Sequence, residues 1–103
     1  MKLEVCYKKE DKLLILKINE EIDHHIVEKI RRKADYEIET YIPRKVVFDF
    51  NNVSFMDSAG IGLILGRYKN ISILGGKLEI INANNQLYKI LKKSGQKVLP
   101  LQL

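Results

Sequence analysis

The feature of this sequence that most restricts its fold is the alternation of short apolar runs with longer segments of helical periodicity. The first two apolar runs lie close together and are joined by the polar turn 9–12. In residues 3–7, apolar and polar side chains alternate, which is typical of a strand with one buried face. Residues 13–18 are more continuously apolar, which indicates a strand buried on both faces. We therefore predict an N-terminal hairpin.

Helix-forming segments follow the hairpin. Asp23 can cap a first helix that begins at His24, and Pro43 ends it. A second helix is expected to begin near Ser58 and to run to Leu74, where two glycines stop it. The residues expected on the buried faces are Val27, Ile30, Ala34, Ile38 and Tyr41 in the first helix, and Ile61, Ile64, Leu65, Tyr68 and either Ile71 or Ser72 in the second.

The remaining elements complete the alternation. Asn84 can cap a third helix, which Gly95 closes. Strands are expected at 46–50 and 78–81, and a short edge strand is expected at 98–101.

The order β-β-α-β-α-β-α-β predicts an α/β fold formed by residues 1–103 as a single domain. We expect a mixed, mostly parallel sheet of four to five strands, together with about three helices. The sheet is expected to be mostly parallel because strand–helix–strand units favour right-handed crossovers between parallel strands. Binding sites in such sheets collect at the carboxyl ends of the strands. The segments around Asp23 and Ser58 both fall at such ends.

Composition excludes several classes of protein. The apolar content of 46% and charged content of 30% are those of an ordinary globular domain. The single cysteine, Cys6, rules out an internal disulfide and a zinc site built on clustered cysteines. The longest apolar run, 59–66, is far shorter than the roughly 20 residues of a membrane span, and no signal-like segment follows the N-terminus. We expect a cytoplasmic protein without membrane contact.

The formal net charge of +5 raises the question of nucleic-acid binding. The densest basic cluster, 31–33, is interleaved with acidic residues, so we interpret it as a solvated helix face and expect no direct nucleic-acid contact. Arg67 and Lys69 are likewise expected to be solvated, with an acidic protein surface as the alternative partner.

The segment 55–62, Phe-Met-Asp-Ser-Ala-Gly-Ile-Gly, carries the most chemical information. It places the Ser58 hydroxyl at the positive end of a helix dipole, where backbone N–H groups lack partners and can accept an anion. Gly60 and Gly62 would allow another backbone to approach closely.

Four interpretations of this segment compete. Asp57 or Ser58 could serve only as a helix cap, with the glycines needed for packing. A dinucleotide fingerprint would need G-x-G-x-x-G, but position 65 is Leu and Gly66 comes one residue late. A hydrolase elbow would need G-x-S-x-G, and Met56 occupies the first glycine position. The fourth interpretation is a phosphoacceptor serine.

The segment 55–69 strongly resembles the STAS domain of sporulation anti-sigma factor antagonists, of the sigma-F type. The segment 21–25, Glu-Ile-Asp-His-His, resembles a second signature of that group, and the order of elements extends the resemblance over nearly the whole chain. Two departures stand out: Ala59 replaces a second serine found in many relatives, and the further C-terminal helix common among relatives is missing before Leu103. An apolar patch left uncovered there could support self-association.

The resemblance implies a regulatory role. A family member binds an anti-sigma factor that is also a serine kinase, and this releases a sigma factor. The kinase phosphorylates the serine matching Ser58, a phosphatase reverses the modification, and the domain itself is no enzyme and needs no cofactor or metal. The expected partner-binding residues are Asp23, His24, Asp57, Ser58, Ala59, Gly60, Ile61 and Gly62. The rival function is a small nucleotide-binding or hydrolytic α/β enzyme that uses the helix end at Ser58.

Overall fold

A computed structural model describes residues 2–95 of the chain. In order, its elements are β1 (Leu3–Lys8), β2 (Leu13–Ile18), α1 (Val27–Tyr41), β3 (Lys45–Asp49), α2 (Ser58–Ile73), β4 (Lys77–Ile81) and α3 (Asn85–Gly95). These elements confirm the predicted alternation through its third helix. The edge strand predicted at 98–101 lies outside the described residues.

The described strands form one sheet in the order β1-β2-β3-β4. β1 and β2 are the predicted antiparallel hairpin, whereas β2, β3 and β4 run parallel to one another. The sheet is therefore mixed and mostly parallel, as the sequence predicts. Because β2 and β3 point the same way, the loops that leave their carboxyl ends meet at one edge of the sheet.

The three helices share one apolar core with a single face of the sheet. The register aligns Leu14 of β2 with Val46 of β3 and Leu78 of β4, and their side chains lie on the same face. All three are buried in a cluster that also contains buried residues of α1, α2 and α3. Val47, which points to the opposite face, is buried but does not belong to that cluster.

Helix α1 begins three residues later than predicted. The Asp23 side chain does cap backbone N–H groups, but it accepts them from His25 at 2.9 Å and Ile26 at 3.2 Å and so closes a turn before the helix. The helix itself starts at Val27. At the other end Ile42 adopts a left-handed conformation with φ of 44°, and Pro43 follows it.

The predicted inner face of α1 is confirmed at Ile30, Ala34 and Ile38, which are buried. Tyr41 departs from the prediction because 40% of it is exposed. Its ring stacks on that of Tyr7, with the centroids 4.1 Å apart. The end of α1 thus covers part of β1.

The buried face of α2 is only partly as predicted. Ile64 and Ile71 are buried, but the predicted Ile61, Leu65 and Tyr68 are half-buried and Ser72 is exposed. Leu63 is buried although the pattern did not select it. The reason is that this helix is apolar on most sides, so periodicity alone does not identify one inner face.

Arg67 also contradicts the sequence-based expectation, since it is 7% exposed and not solvated. Its Nε lies 2.9 Å from Oδ1 of Asp35 on α1, and the two helices pack together at this point. The N–H direction does not satisfy hydrogen-bond geometry with any acceptor in the described part of the chain. The contact is therefore an ion pair between helices. Lys69 is exposed, as expected.

At the start of α3 the predicted cap is confirmed, because the Asn84 side chain accepts the Leu87 N–H at 2.8 Å. Within residues 2–95, every helix falls short of the length and apolar character that crossing a membrane requires.

Candidate functional site

Two loops, one after β2 and one after β3, meet at the carboxyl edge of the sheet. Ile22 and Met56 form an isolated parallel bridge between them. The Ile22 N–H donates to the Phe55 carbonyl at 2.9 Å, and the Asp57 N–H donates to the Ile22 carbonyl at 3.0 Å. The segments around Asp23 and Ser58 are therefore held together by backbone hydrogen bonds.

Asp57 is the N-cap of α2 and bonds both loops with its two carboxylate oxygens. Oδ1 accepts the N–H groups of Ala59 at 2.9 Å and Gly60 at 3.3 Å. Oδ2 accepts the backbone N–H of His24 at 3.0 Å. The carboxylate thus satisfies donors at the helix tip that would otherwise be open to an external anion.

The same contacts determine how Asp57 ionises. Partial burial acts to raise its pKa, but hydrogen bonds from the backbone N–H groups of His24, Gly60 and Ala59 outweigh that effect and lower the pKa. The His24 ring adds to the lowering, with Nδ1 3.5 Å from Oδ2 of Asp57. Asp57 is therefore a stable negative charge at neutral pH.

Ser58 is the first residue of α2 and is exposed. It follows the cap residue Asp57 directly and therefore lies at the tip of the helix. The neighbouring Ala59 is half-buried and carries no hydroxyl.

Gly60 faces inward, contrary to the expectation that it opens the helix end to a partner. It is buried, and a Cβ added there would lie 2.4 Å from Cγ of Met56 and 2.9 Å from Cγ2 of Ile22. Its lack of a side chain lets α2 pack closely on the bridge between the two loops. Gly62 is exposed and faces open space, whereas Ile61 is half-buried.

The two histidines lie on the surface of the turn before α1. Both side chains are exposed, and their rings lie 3.9 Å apart. His24 contacts Asp57, whereas His25 lies near Asp23. Within the described residues, Asp23 makes its hydrogen bonds inside its own turn and none to Ser58.

Phe55 is a candidate that sequence reasoning did not select. Its backbone carbonyl joins the two loops, while 46% of the residue is exposed. One feature of the sequence could have identified Phe55. It is an aromatic residue in the loop between the predicted strand and helix, and a side chain in such a loop need not be buried in the core. It lies three positions before Ser58 and enlarges the apolar part of this edge.

In the part of the chain that the structure describes, no group of three or more His, Cys, Asp or Glu side chains could hold a metal ion. The helix-tip amides of Ala59 and Gly60, which a nucleotide phosphate would use, are bonded to Asp57.

A family model for the STAS domain matches residues 5–100, and the chain belongs to this family. The structure shows the STAS fold, with a mixed four-stranded sheet and three helices over the described residues.

The chain is similar over most of its length to one relative by sequence and to two solved structures. An anti-sigma F factor antagonist of Paenibacillus polymyxa is 33% identical over 102 residues, covering 98% of this chain and 87% of the relative. The solved structure of the anti-sigma factor antagonist SpoIIAA in its unphosphorylated form is 26% identical, with a TM-score of 0.76 over 98% of this chain and 86% of that one. The phosphorylated form of the Bacillus cell fate determinant SpoIIAA is 27% identical, with a TM-score of 0.74 over 96% and 89%.

Proposed function

We propose that this protein is an anti-sigma factor antagonist that is switched off by phosphorylation of Ser58. In the unmodified state it binds an anti-sigma factor and so releases a sigma factor. The anti-sigma factor acts as the serine kinase, and a separate phosphatase restores the binding state. The observation that carries this proposal is the exposed Ser58 hydroxyl beside a carboxylate that already occupies the helix-tip amides.

The occupied amides explain why a phosphate there would be disruptive. Phosphorylation adds about −1.5 to −2 charges. A free helix tip would offset part of that charge, but the N–H groups of Ala59 and Gly60 are bonded to Asp57. The phosphate would stay exposed next to a second negative charge. Burying it without a matched cation costs several kcal/mol, and each 1.4 kcal/mol weakens binding about tenfold.

The modification is expected to act at the interface and not through refolding. Two like charges about 5 Å apart repel by roughly 3 kcal/mol at an effective dielectric of 20, and less when exposed. A domain of this size is stable by about 5–15 kcal/mol. The likeness of this chain to SpoIIAA in its unphosphorylated and phosphorylated forms, with TM-scores of 0.76 and 0.74, supports the same view.

The docking surface, which we call the helix-tip surface, consists of His24, Phe55, Ser58, Ile61 and Gly62. Ser58, Ile61 and Gly62 share one face of α2, because residues three and four positions apart lie side by side on a helix. Phe55 supplies an exposed aromatic group of a kind that is enriched at protein–protein interfaces. Gly62 leaves room for a partner's backbone.

The test is to incubate the chain with the candidate anti-sigma kinase and ATP and to locate phosphate by mass spectrometry. We expect modification at Ser58 and none in Ser58→Ala, which should still bind the kinase. Affinity is then compared for the unmodified chain, the phosphorylated chain and Ser58→Asp. Unchanged affinity after complete phosphorylation, or a large change in the circular dichroism spectrum of the isolated domain, would contradict the proposed mechanism.

A further inference from the structure

The outer edge of β1 carries backbone groups that no strand within residues 2–95 pairs with. Among the strands of residues 2–95, β1 pairs with β2 alone. The Asn19 N–H donates to the Lys2 carbonyl at 2.8 Å. Since hydrogen-bonded pairs alternate along an antiparallel ladder, the N–H and C=O groups of Leu3, Val5 and Tyr7 point away from β2. Such an edge can accept another strand.

The charged side chains on the solvent-facing side of β1 are arranged so that a second copy of the strand, running antiparallel, would match them with opposite charges. The residues that alternate on this side are all exposed, and they read Lys2, Glu4, Cys6 and Lys8. Glu4 and Lys8 lie two positions on either side of Cys6, and they carry opposite charges. An identical strand running in the opposite direction would therefore place opposite charges against each other.

We propose that β1 is a homodimerisation edge, on which β1 of a second copy pairs antiparallel with Cys6 opposite Cys6. Glu4 of each copy then lies opposite Lys8 of the other, so this ion pair forms twice. On the helix-covered side, Val5 lies opposite Tyr7, a β-branched and aromatic pair of the type that stabilises sheets.

The residues of β1 whose backbone N–H and C=O groups point outward are the ones that this register needs for hydrogen bonding. Val5 and Tyr7 point their N–H and C=O groups outward, so they would form the hydrogen-bonded pair. Cys6 opposite Cys6, and Glu4 opposite Lys8, would be non-hydrogen-bonded pairs, in which side chains approach most closely. The charged side chains would therefore interact where the strands bring them nearest.

Other registers are disfavoured by charge. A shift of the partner strand by two residues in one direction places Lys2 opposite Lys8, whereas a shift in the other direction leaves Glu4 beyond the end of the partner's strand and loses the Glu4–Lys8 pair. Like charges directly opposite each other destabilise a strand pair. A one-residue shift would exchange the two faces of the strand. Charged edges commonly prevent pairing, but this pattern favours one register over its neighbours.

The experiment measures the mass of the full chain across a wide concentration range by analytical ultracentrifugation under reducing conditions. We expect a weak, concentration-dependent dimer, because one strand pair is a small interface. In Glu4→Lys and in Lys8→Glu, the Glu4–Lys8 pairs become like-charged, and each variant should dimerise about tenfold more weakly. Lys89→Glu, an exposed charge reversal on α3, is the matched control and should leave the dimer unchanged.

Mixing the two weakened variants gives the decisive result. In a heterodimer of the Glu4→Lys chain with the Lys8→Glu chain, the introduced lysine of the first faces the introduced glutamate of the second. The native Lys8 of the first chain likewise faces the native Glu4 of the second, so association should recover. A monomer at all concentrations, a dimer indifferent to these charges, or a mixture that does not recover would overturn the proposal. Thermal unfolding of each variant verifies that the domain is intact.

Oxidation supplies an independent measurement. At a directly opposed, non-hydrogen-bonded position the two Cys6 side chains lie within disulfide range. Mild oxidation should therefore cross-link the wild-type chain faster than Glu4→Lys, while Cys6→Ser should still form the non-covalent dimer. Equal cross-linking rates in the wild type and Glu4→Lys would indicate random collision and overturn the assigned register. Neither measurement involves the helix-tip surface, so both are independent of the proposed function.

Discussion

The carboxylate of Asp57 lies 3.0 Å from the backbone nitrogen of His24, a residue 33 positions earlier in the chain. With its other oxygen the same side chain caps α2. One residue therefore defines the helix tip and ties it to the neighbouring loop. This double role makes Asp57 the natural starting point for testing the site.

Acid should weaken the domain partly through Asp57. Its pKa is lowered in the folded state, so its contribution to stability is complete above its ordinary pKa of about 4 and is lost as pH falls through the lower, folded-state pKa. Asp57→Asn should keep part of the cap but remove this titration. The measurement is the urea midpoint of both proteins between neutral pH and pH of about 2.5. The difference between the urea midpoints of the two proteins should narrow on acidification. A constant difference would refute the conclusion that Asp57 has a lowered pKa in the folded state.

Gly60 and Gly62 provide a matched pair of substitutions in one helix. Gly60→Ala forces a Cβ against Met56 and Ile22 and should cost about 1–3 kcal/mol. Gly62→Ala meets nothing within 4 Å and should be neutral or stabilise by up to about 1 kcal/mol through helix propensity. Urea denaturation of the two variants measures both. Equal effects would show that the packing at Gly60 is looser than described.

The ion pair between Arg67 and Asp35 should be coupled in a double-mutant cycle. Asp35→Asn leaves the buried guanidinium uncompensated and should cost about 1–3 kcal/mol, since Asp35 itself is partly exposed. In an Arg67→Met background the same Asp35→Asn change should cost much less. Free energies of unfolding for the four proteins give the coupling. Strict additivity would mean that the contact contributes no pairwise energy.

A substitution at Phe55 should weaken partner binding much more than it weakens the folded domain. Because it is 46% exposed, Phe55→Ala should change the free energy of unfolding only modestly, by about 1 kcal/mol or less. If the helix-tip surface binds the anti-sigma factor, affinity should fall at least about tenfold. Tyr36→Ala, an exposed aromatic on α1, is the control and should retain affinity. A Phe55→Ala protein that bound as tightly as the wild type would remove Phe55 from the proposed surface.

The sequence predicted the elements that depend on local chemistry. The hairpin, the mostly parallel sheet and the Asn84 cap follow from alternation and from a side chain acting within its own turn. The proximity of the two loops also followed, because parallel strands place their carboxyl ends at one edge. The exposure of Ser58 at a helix tip agrees with its expected position.

Two of the failures have a common cause in tertiary contacts. The burial of Arg67 depends on Asp35 in another helix, and the inward orientation of Gly60 depends on Met56 and Ile22 from two loops. No local pattern reports such contacts. The start of α1 was misplaced because a capping side chain can close a single turn as well as a helix, and the residues around Asp23 do not distinguish the two.

The backbone bridge between Ile22 and Met56 has a kinetic consequence. Since the two loops are bonded to each other within the domain itself, the helix-tip surface that we propose for docking is assembled before a partner arrives. Little ordering entropy remains to be lost on association. If this surface binds the anti-sigma factor, association should not await a loop rearrangement, and its rate constant should be that of preorganised partners, about 10⁵–10⁷ M⁻¹s⁻¹.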